Sequence, residues 1–402
     1  MQKSNMKIAV FHNLLSGGAK RALYEFSREL NKRGFMLDAF IPSTADETFL
    51  PLDSVVHHKV VYPLTNLFTF MNHTGFKWMY RRSMLLALAA SQKRIASEIN
   101  SKGYSLAFVH HSILTQSPFI LKYLKIPSVY YMQEPHRGVY EHALHEHSYT
   151  SSLGKSFLGN TKGLFFHTLI KSIDESNTTH ASRILVNSFY SHESVMRAYG
   201  LNSYVVYLGV DAERFRPDGT VEKENVIVSV GRLSQPKGFR FIIKALGRLQ
   251  NKPTLIIIGD GDNEDERIVL TTLAREHKVT IEIKVNISDI ELIKLYNRAR
   301  AVVYAPYLEP FGLVPLEAMA CGTPVIGVKE GGVRETVVDG TTGLLVERDS
   351  GKFAEAIEYL TQNHEKRHLM GKNAIELVRR KWTWGKATDS LIDHFNAVGG
   401  KM

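Results

Sequence analysis

The 402-residue sequence contains one cysteine, Cys321, so it cannot form an internal disulfide. A chain without such staples fits a reducing compartment. It also has no apolar run near the roughly 20 residues needed to cross a bilayer. The opening MQKSNMKIAVFHN has too short an apolar stretch for a secretory signal and runs straight into a strand-like pattern. The cytoplasm is therefore the expected location. Lys and Arg outnumber Asp and Glu by 50 to 40, a net charge of +10, yet no long basic tract exists. Nucleic-acid binding calls for such a tract, or for a reader motif with interleaved aromatics, and no nucleic-acid partner is expected. The positive balance points instead to phosphorylated small molecules and to an anionic membrane surface at the inner face. There is no internal repeat and no low-complexity stretch.

Hydrophobic residues make up 44% of the chain and charged residues 22%, the balance of a globular protein with a sizeable core. At this length two domains are expected. Short apolar strands alternate with amphipathic helical segments throughout, the pattern of parallel sheets flanked by helices. KIAVFH, FMLDAF, LAFVHH, PSVYYM and RILVNS read as strands of the first half. NVIVSV, TLIIIGD, VTIEIKV, RAVVYAP, PVIGV and GLLV read as strands of the second, after the polar, turn-rich GVDAERFRPDGTVEKEN. The fold class is α/β, with two Rossmann-like doubly wound parallel-sheet domains facing a cleft. Their expected limits are 1–210 and 211–381, with 382–402 a final helix crossing back to the N-terminal domain. Between Leu64 and Arg82, aromatics mix with cations, which suits an anionic membrane interface or an ordinary half-buried helix with its lead-in loop.

Three segments carry candidate chemistry. The strongest is E-P-F-G-L-V-P-L-E, Glu309 to Glu317, after the strand RAVVYAP. Its Gly312 turn predicts a helix beginning near Leu313, whose free N–H groups and dipole suit a diphosphate. Glu317, one turn into that helix, can accept from the vicinal hydroxyls of a ribose, and Glu309 from the hydroxyls of a second sugar. A strand–turn–helix with two solvated carboxylates is the plainer alternative. The second segment, G-R-L-S-Q-P-K-G, puts Arg232 and Lys237 at the carboxyl end of a strand, where doubly wound sheets bind ligands. Two cations there can stabilise a departing diphosphate, although a solvated basic loop reads the same way. In the third, S-G-G-A-K-R, Gly17 and Gly18 let backbone approach a phosphate or a sugar.

Together these segments resemble the retaining glycosyltransferases of family 4, whose fold is the two-domain GT-B. The resemblance extends over nearly the whole chain. It takes in N-S-F-Y-S-H-E, G-V-D-A-E-R-F-R-P, I-I-I-G-D-G-D-N-E, G-G-V-R-E-T-V-V-D-G-T-T-G-L-L-V and the closing W-T-W-G-K-A. It implies a hexosyltransferase drawing on a nucleotide diphosphate sugar as co-substrate, with no further cofactor and no metal. The implied donor site is Gly17, Gly18, Arg232, Lys237, Glu309, Phe311, Gly312, Leu313, Val314 and Glu317. Glu309, Arg232 and Lys237 would carry the chemistry with His111, which ends the strand LAFVHH. The acceptor, a glycan or a lipid-linked sugar, would meet Gln133, Glu134 and Arg137.

Two positions depart from the family pattern. Gln133 stands where mannosyltransferase-like members carry a histidine, and Arg334 stands where proline is usual. A non-catalytic sugar-nucleotide-binding subunit, or a GT-B epimerase or phosphorylase, is the rival reading. Asp260-Gly261-Asp262 matches a metal element of another glycosyltransferase fold but reads as a turn and helix start. Glu264 breaks a dinucleotide fingerprint there. His136, His142, His145 and His147 lack the partners of a metal site and read as an exposed loop. Cys321 reads as a small buried residue.

Overall fold

The computed structural model describes residues 6–64, 77–141, 157–261 and 263–399, without the side chains of residues 77, 78 and 157–165. Most of the aromatic stretch from Leu64 to Arg82 lies outside the described residues, as do Asp262, His142, His145 and His147.

Thirteen strands are described: β1 (Lys7–Asn13), β2 (Met36–Pro42), β3 (His58–Tyr62), β4 (Leu106–Ser112), β5 (Ser128–Gln133), β6 (Arg183–Val186), β7 (Tyr204–Val205), β8 (Val226–Val230), β9 (Thr254–Gly259), β10 (Ile281–Val285), β11 (Ala301–Tyr304), β12 (Val325–Val328) and β13 (Gly343–Val346). They form two sheets, in the orders β3-β2-β1-β4-β5-β6-β7 and β10-β9-β8-β11-β12-β13. Every pairing of these strands is parallel, for example Ile8 with Leu37 and Leu106, and Val228 with Ile256 and Val302. The central strands are near-continuous Val, Ile, Leu and Ala because helices cover both of their faces. Ile8, Val10, Leu106 and Phe108 are wholly buried in the first sheet, as are Ile227, Val228, Val302 and Val303 in the second.

The eleven strands expected from the sequence are present. Edge strands β3 and β7 escape the sequence reading, for a physical reason. β3 has one buried residue, Tyr62, and β7 is two residues long, so neither makes an apolar run. In each sheet the strand order reverses beside the first strand of its domain, between β1 and β4 and between β8 and β11. Such reversals leave a crevice at the carboxyl ends of the strands. The Gly17–Gly18 loop follows β1, and the Arg232–Lys237 and Leu308–Gly312 loops follow β8 and β11.

The chain passes between the domains twice, and the two passages lie side by side. Val210 N donates to Trp382 O at 2.9 Å, and Val210 forms a parallel bridge with Thr383. The last helix begins at Trp384, two residues later than the sequence suggests, because Trp382 closes the helix before it. It packs on the N-terminal sheet, with Trp384 edge-on to Phe26 at 5.4 Å and Phe395 edge-on to Phe108 at 5.3 Å. Arg33 Nη2 donates to Gly385 O at 2.8 Å. Where the passages meet, a Cβ on Gly209 would sit 2.4 Å from Trp384 N, so no larger residue fits without parting them. Gly209→Ala is expected to cost on the order of 1–3 kcal/mol, the usual range for overpacking. Chemical denaturation of the variant against the parent chain checks this.

Candidate active site

The C-terminal wall is built on the loop after β11. Leu308 holds φ +48° and Gly312 φ +94°, turning the chain out of the strand and into the Leu313–Ala320 helix. The loop lies flat on Gly331 and Gly332. A Cβ on Gly332 would fall 2.1 Å from Pro310 O, and Gly332 N donates to Glu309 O at 2.7 Å. Gly312 caps the helix without a side chain, and Pro315 has no N–H to offer. The amides of Leu313 and Val314 therefore face the cleft at the positive end of the helix dipole.

Glu309 sits beside this helix start, and Lys237 Nζ donates to its Oε2 at 2.8 Å. Burial pushes the Glu309 carboxyl up, but Lys237, Arg137 and the Tyr304 hydroxyl outweigh it and leave it below the usual range. Glu317, one turn along, is buried and accepts from the Tyr296 hydroxyl at 3.1 Å. Burial raises its carboxyl against the pull of Arg21, which belongs to the other domain. Arg21 also pairs with Asp289 at 3.5 Å, an anchor it shares with Arg214 at 2.6 Å.

The N-terminal wall answers with a second helix start. Gly17, at φ +130°, caps the Gly18–Lys32 helix, again without a side-chain cap. A Cβ on Gly18 would lie 3.6 Å from Leu313 Cδ1, so the two glycine-led helix starts meet across the cleft. Beneath this loop the wholly buried Lys20 pairs with Glu47, which also takes His12 Nε2 and Lys59 Nζ, each at 3.1 Å. Burial first, then the two lysines, lower His12 to about 4, so its ring is neutral at pH 7.

β5 supplies the remaining wall. A register shift after Tyr131 ends at Gln133, whose φ of +67° is strained for a residue with a side chain. Gln133 Nε2 and Glu134 Oε2 are both buried without a hydrogen-bond partner. Burial pushes Glu134 up to about 8, against Arg137 and with the help of Glu309 and Glu141. Arg137 pairs with Glu141 at 2.8 Å and Glu134 at 3.5 Å, and its Nη2 donates to Tyr307 O of the other domain at 2.7 Å. Its guanidinium is therefore taken up by protein groups rather than open to an acceptor phosphate.

The structure thus gathers Lys237, Glu309, Glu134 and Arg137 into one electrostatic group, and Gly17, Gly18, Gly312, Leu313, Val314 and Glu317 into an adjoining one. Phe311 lies under the loop, 5.7 Å from Trp382. Arg232 is exposed at the mouth. His111 is half-buried on the N-terminal side with Nδ1 unpartnered, and burial lowers it to about 4. His110 is enclosed between Phe108 and Tyr131, with ring centroids at 4.6 and 5.6 Å. Among the described residues, no three His, Cys, Asp or Glu side chains are grouped to hold a metal ion.

Sequence reasoning missed Arg21, Tyr296, Tyr304, the Lys20 cluster and Glu335. Glu335 joins the domains, accepting from Phe189 N at 2.9 Å, Tyr190 N at 3.0 Å and the Tyr207 hydroxyl at 2.9 Å. Arg21 did leave a signal. It is a cation in the first turn of a helix, where the dipole disfavours positive charge unless an acid offsets it.

Comparison with known proteins supports the fold. Residues 211–377 match the family model described as glycosyl transferases group 1. A D-inositol 3-phosphate glycosyltransferase of Corynebacterium jeikeium is 30% identical over 239 residues, which cover 53% of this chain and 56% of that one. An uncharacterized glycosyltransferase of Methanocaldococcus jannaschii is 28% identical over 267 residues, 61% of this chain and 68% of that one. The chain spans about half the length of the D-inositol 3-phosphate glycosyltransferases it matches. Sucrose-phosphate synthase from Thermosynechococcus elongatus superposes with a TM-score of 0.75 at 19% identity, covering 98% of this chain and 99% of that one. Anabaena HepE in complex with UDP-glucose superposes with a TM-score of 0.74 at 20% identity, covering 98% and 100%.

The fold is GT-B. In this GT-B chain the two sheets present their reversal points to one another, and both groups of residues lie between them.

The raised Glu134 carboxyl yields a pH prediction. An acid whose folded pKa exceeds its unfolded value contributes stability below the unfolded value, near 4.5, and loses it as pH rises through about 8. The melting temperature is expected to fall between pH 5 and pH 9, and to fall less in Glu134→Gln. Parallel slopes for the two proteins would mean that Glu134 is ionised throughout.

Proposed function

We propose that this chain is a retaining glycosyltransferase of family 4 that transfers a hexose, of mannose or glucose type, from a nucleotide diphosphate sugar to a glycan or lipid-linked acceptor at the cytoplasmic membrane face. The observation that carries this reading is the pair of glycine-capped helix starts meeting across the cleft, with the Lys237–Glu309 pair beside them. Backbone N–H groups and dipole ends suit a diphosphate, and a lysine already held at the same point adds a mobile charge. The relatives named as glycosyltransferases and the UDP-glucose held by HepE support a nucleotide-sugar donor.

Each residue then has a physical task. The diphosphate lies on the amides of Leu313 and Val314, with Gly17 and Gly18 closing over it. Lys237 moves from Glu309 to a phosphate oxygen, and Arg232 reaches in from the mouth. Glu309, released, accepts from sugar hydroxyls, and Glu317 accepts from the ribose. The bond between the anomeric carbon and the phosphate oxygen breaks, and the acceptor oxygen bonds on the same face. The acceptor's proton passes to the departing phosphate oxygen, so the protein's part is chiefly to stabilise negative charge on the leaving group. Gln133 and Glu134 meet the acceptor, and Arg137 joins them once an acceptor group displaces Tyr307 O from it. His111, neutral at pH 7, is placed to accept or donate one hydrogen bond on the acceptor side. No metal and no further cofactor enter this scheme. The charge balance of +10 leaves room for an anionic membrane as a second contact. No described helix is long and apolar enough to cross a bilayer.

Thermal denaturation with UDP, GDP and ADP tests the donor site. A ligand at about 100 times its dissociation constant adds roughly 2.7 kcal/mol, visible as a rise in melting temperature. One of the three is expected to stabilise the chain, and Glu317→Ala to abolish the shift while Glu309→Ala keeps it. If none shifts the parent protein, the donor site is not as described. Arg232→Ala and Lys237→Ala should each lower turnover by more than about tenfold, since each removes a charged contact to the leaving diphosphate. Full activity in both variants would remove the proposed leaving-group role.

A further inference from the structure

Behind the Leu313–Ala320 helix, away from the cleft, lies a second cavity of about 390 Å³. One wall is the linker between Pro217 and Lys223, another the helix end at Cys321 and Gly322, and the third the His364–Lys381 helix that leads to Trp382. Four cations line it, Lys223, Arg300, Arg367 and Lys372, together with His364 and His368, whose rings stack within 6° of parallel. The buried cation elsewhere in the chain, Lys20, has an acid against it, Glu47. Here, among the described residues, none of the four forms an ion pair with a carboxylate. The single acid in the lining, Asp218, spends its carboxylate on Thr220, accepting from the backbone at 3.0 Å and the hydroxyl at 2.6 Å.

The like charges are held close together. Arg300 Nη1 and Arg367 Nη1 both donate to Thr361 O, at 3.1 and 2.9 Å, and Arg367 Nη1 also donates to Leu360 O at 2.7 Å. Those carbonyls end the Ser350–Gln362 helix, so each arginine gives one nitrogen to capping it. Arg300 Nε is buried without a partner. Lys223 donates to Thr323 Oγ1 at 2.7 Å, and burial together with the nearby Arg367 lowers it to about 8. A concave site with this much unbalanced positive charge concentrates anions, and arginine forks match phosphate oxygens in pairs.

We propose that this cavity is a second ligand site, distinct from the cleft, that binds a phosphate-bearing anion between the interdomain linker and the helix leading to Trp382. The arginines engage the phosphate through the donors left free by helix capping, and Lys223 and Lys372 close on it from the linker and the rim. The occupant joins the two stretches of chain that run into the domain crossings.

Calorimetric titration of pyrophosphate into the full chain tests the site. Lys372 is exposed, so Lys372→Glu leaves the fold intact and reverses one charge at the rim. Pyrophosphate is expected to bind the parent protein and to weaken by about tenfold or more in Lys372→Glu and in Arg367→Gln. In Lys237→Gln, which alters the cleft alone, the component of binding that Lys372→Glu weakens is expected to persist, whatever happens to a cleft component. Pyrophosphate binding that vanishes in Lys237→Gln and persists in Lys372→Glu overturns the proposal, as does its absence from the parent at roughly millimolar concentration. Phosphatidylglycerol vesicles at matched phosphate concentration separate the two sources of the group. Sedimentation that Lys372→Glu abolishes assigns a lipid headgroup. Titration heats without sedimentation assign a soluble phosphate.

Discussion

The cleft depends on the place where the chain crosses between its domains twice at one point. Val210 and Trp382 are hydrogen-bonded there, and Gly209 has no side chain because Trp384 backbone occupies the space. Trp382 is almost wholly buried, between Tyr207 at 5.0 Å and Phe311 at 5.7 Å. Phe311 belongs to the loop that carries Glu309, so the joint between domains and the floor of the candidate site share one packed surface. Rotation about the joint changes what the Leu308–Gly312 loop rests on. Contacts farther out, Glu335 with the Phe189–Tyr199 helix start and Arg137 with Tyr307, bind the rims of the same cleft.

Within the cleft, the arrangement is that of a site built for negative charge. Two helix starts without side-chain caps face each other, and the acids nearby are individually managed. Glu309 is held ionised by Lys237, Glu317 is raised by burial with Arg21 opposing, and Glu134 is raised by burial to about 8. The strain at Leu308 and Gln133 lies on opposite walls of this region, where loops must turn sharply to bring side chains inward. The Lys20–Glu47–His12 cluster stiffens the Gly17–Gly18 loop from below, because a buried ion pair with each partner satisfied resists displacement. Away from the cleft, the cations around Lys223 form the mirror case, positive charge gathered with no ion pair to a carboxylate among the described residues.

Much of the architecture could be read from residue order, because a strand buried on both faces announces itself as a short run such as TLIIIG or VIVSV. Edge strands such as HKVVY do not, since one side of each meets solvent or a loop. The Gly312 turn and the helix at Leu313 follow from the strand end and glycine spacing, whereas the grouping of Lys237 with Glu309 is what the family resemblance implies. What Arg137 does was not legible, because its partner is the carbonyl of Tyr307, 170 residues away. The same holds for Arg21, whose partners Asp289 and the nearby Glu317 lie on the other domain.

Periodicity and glycine placement alone determined two parallel α/β domains with open loops at the carboxyl ends of their strands. These properties belong to local stretches of chain, where side-chain pattern and backbone preference act over a few residues. Tertiary structure alone decided which loops face each other, which carboxylates are buried, and that the linker and the last helices enclose a second basic cavity. Burial and Coulomb energy depend on distances through space, and residues far apart in the chain carry no record of those distances until both sheets are in place.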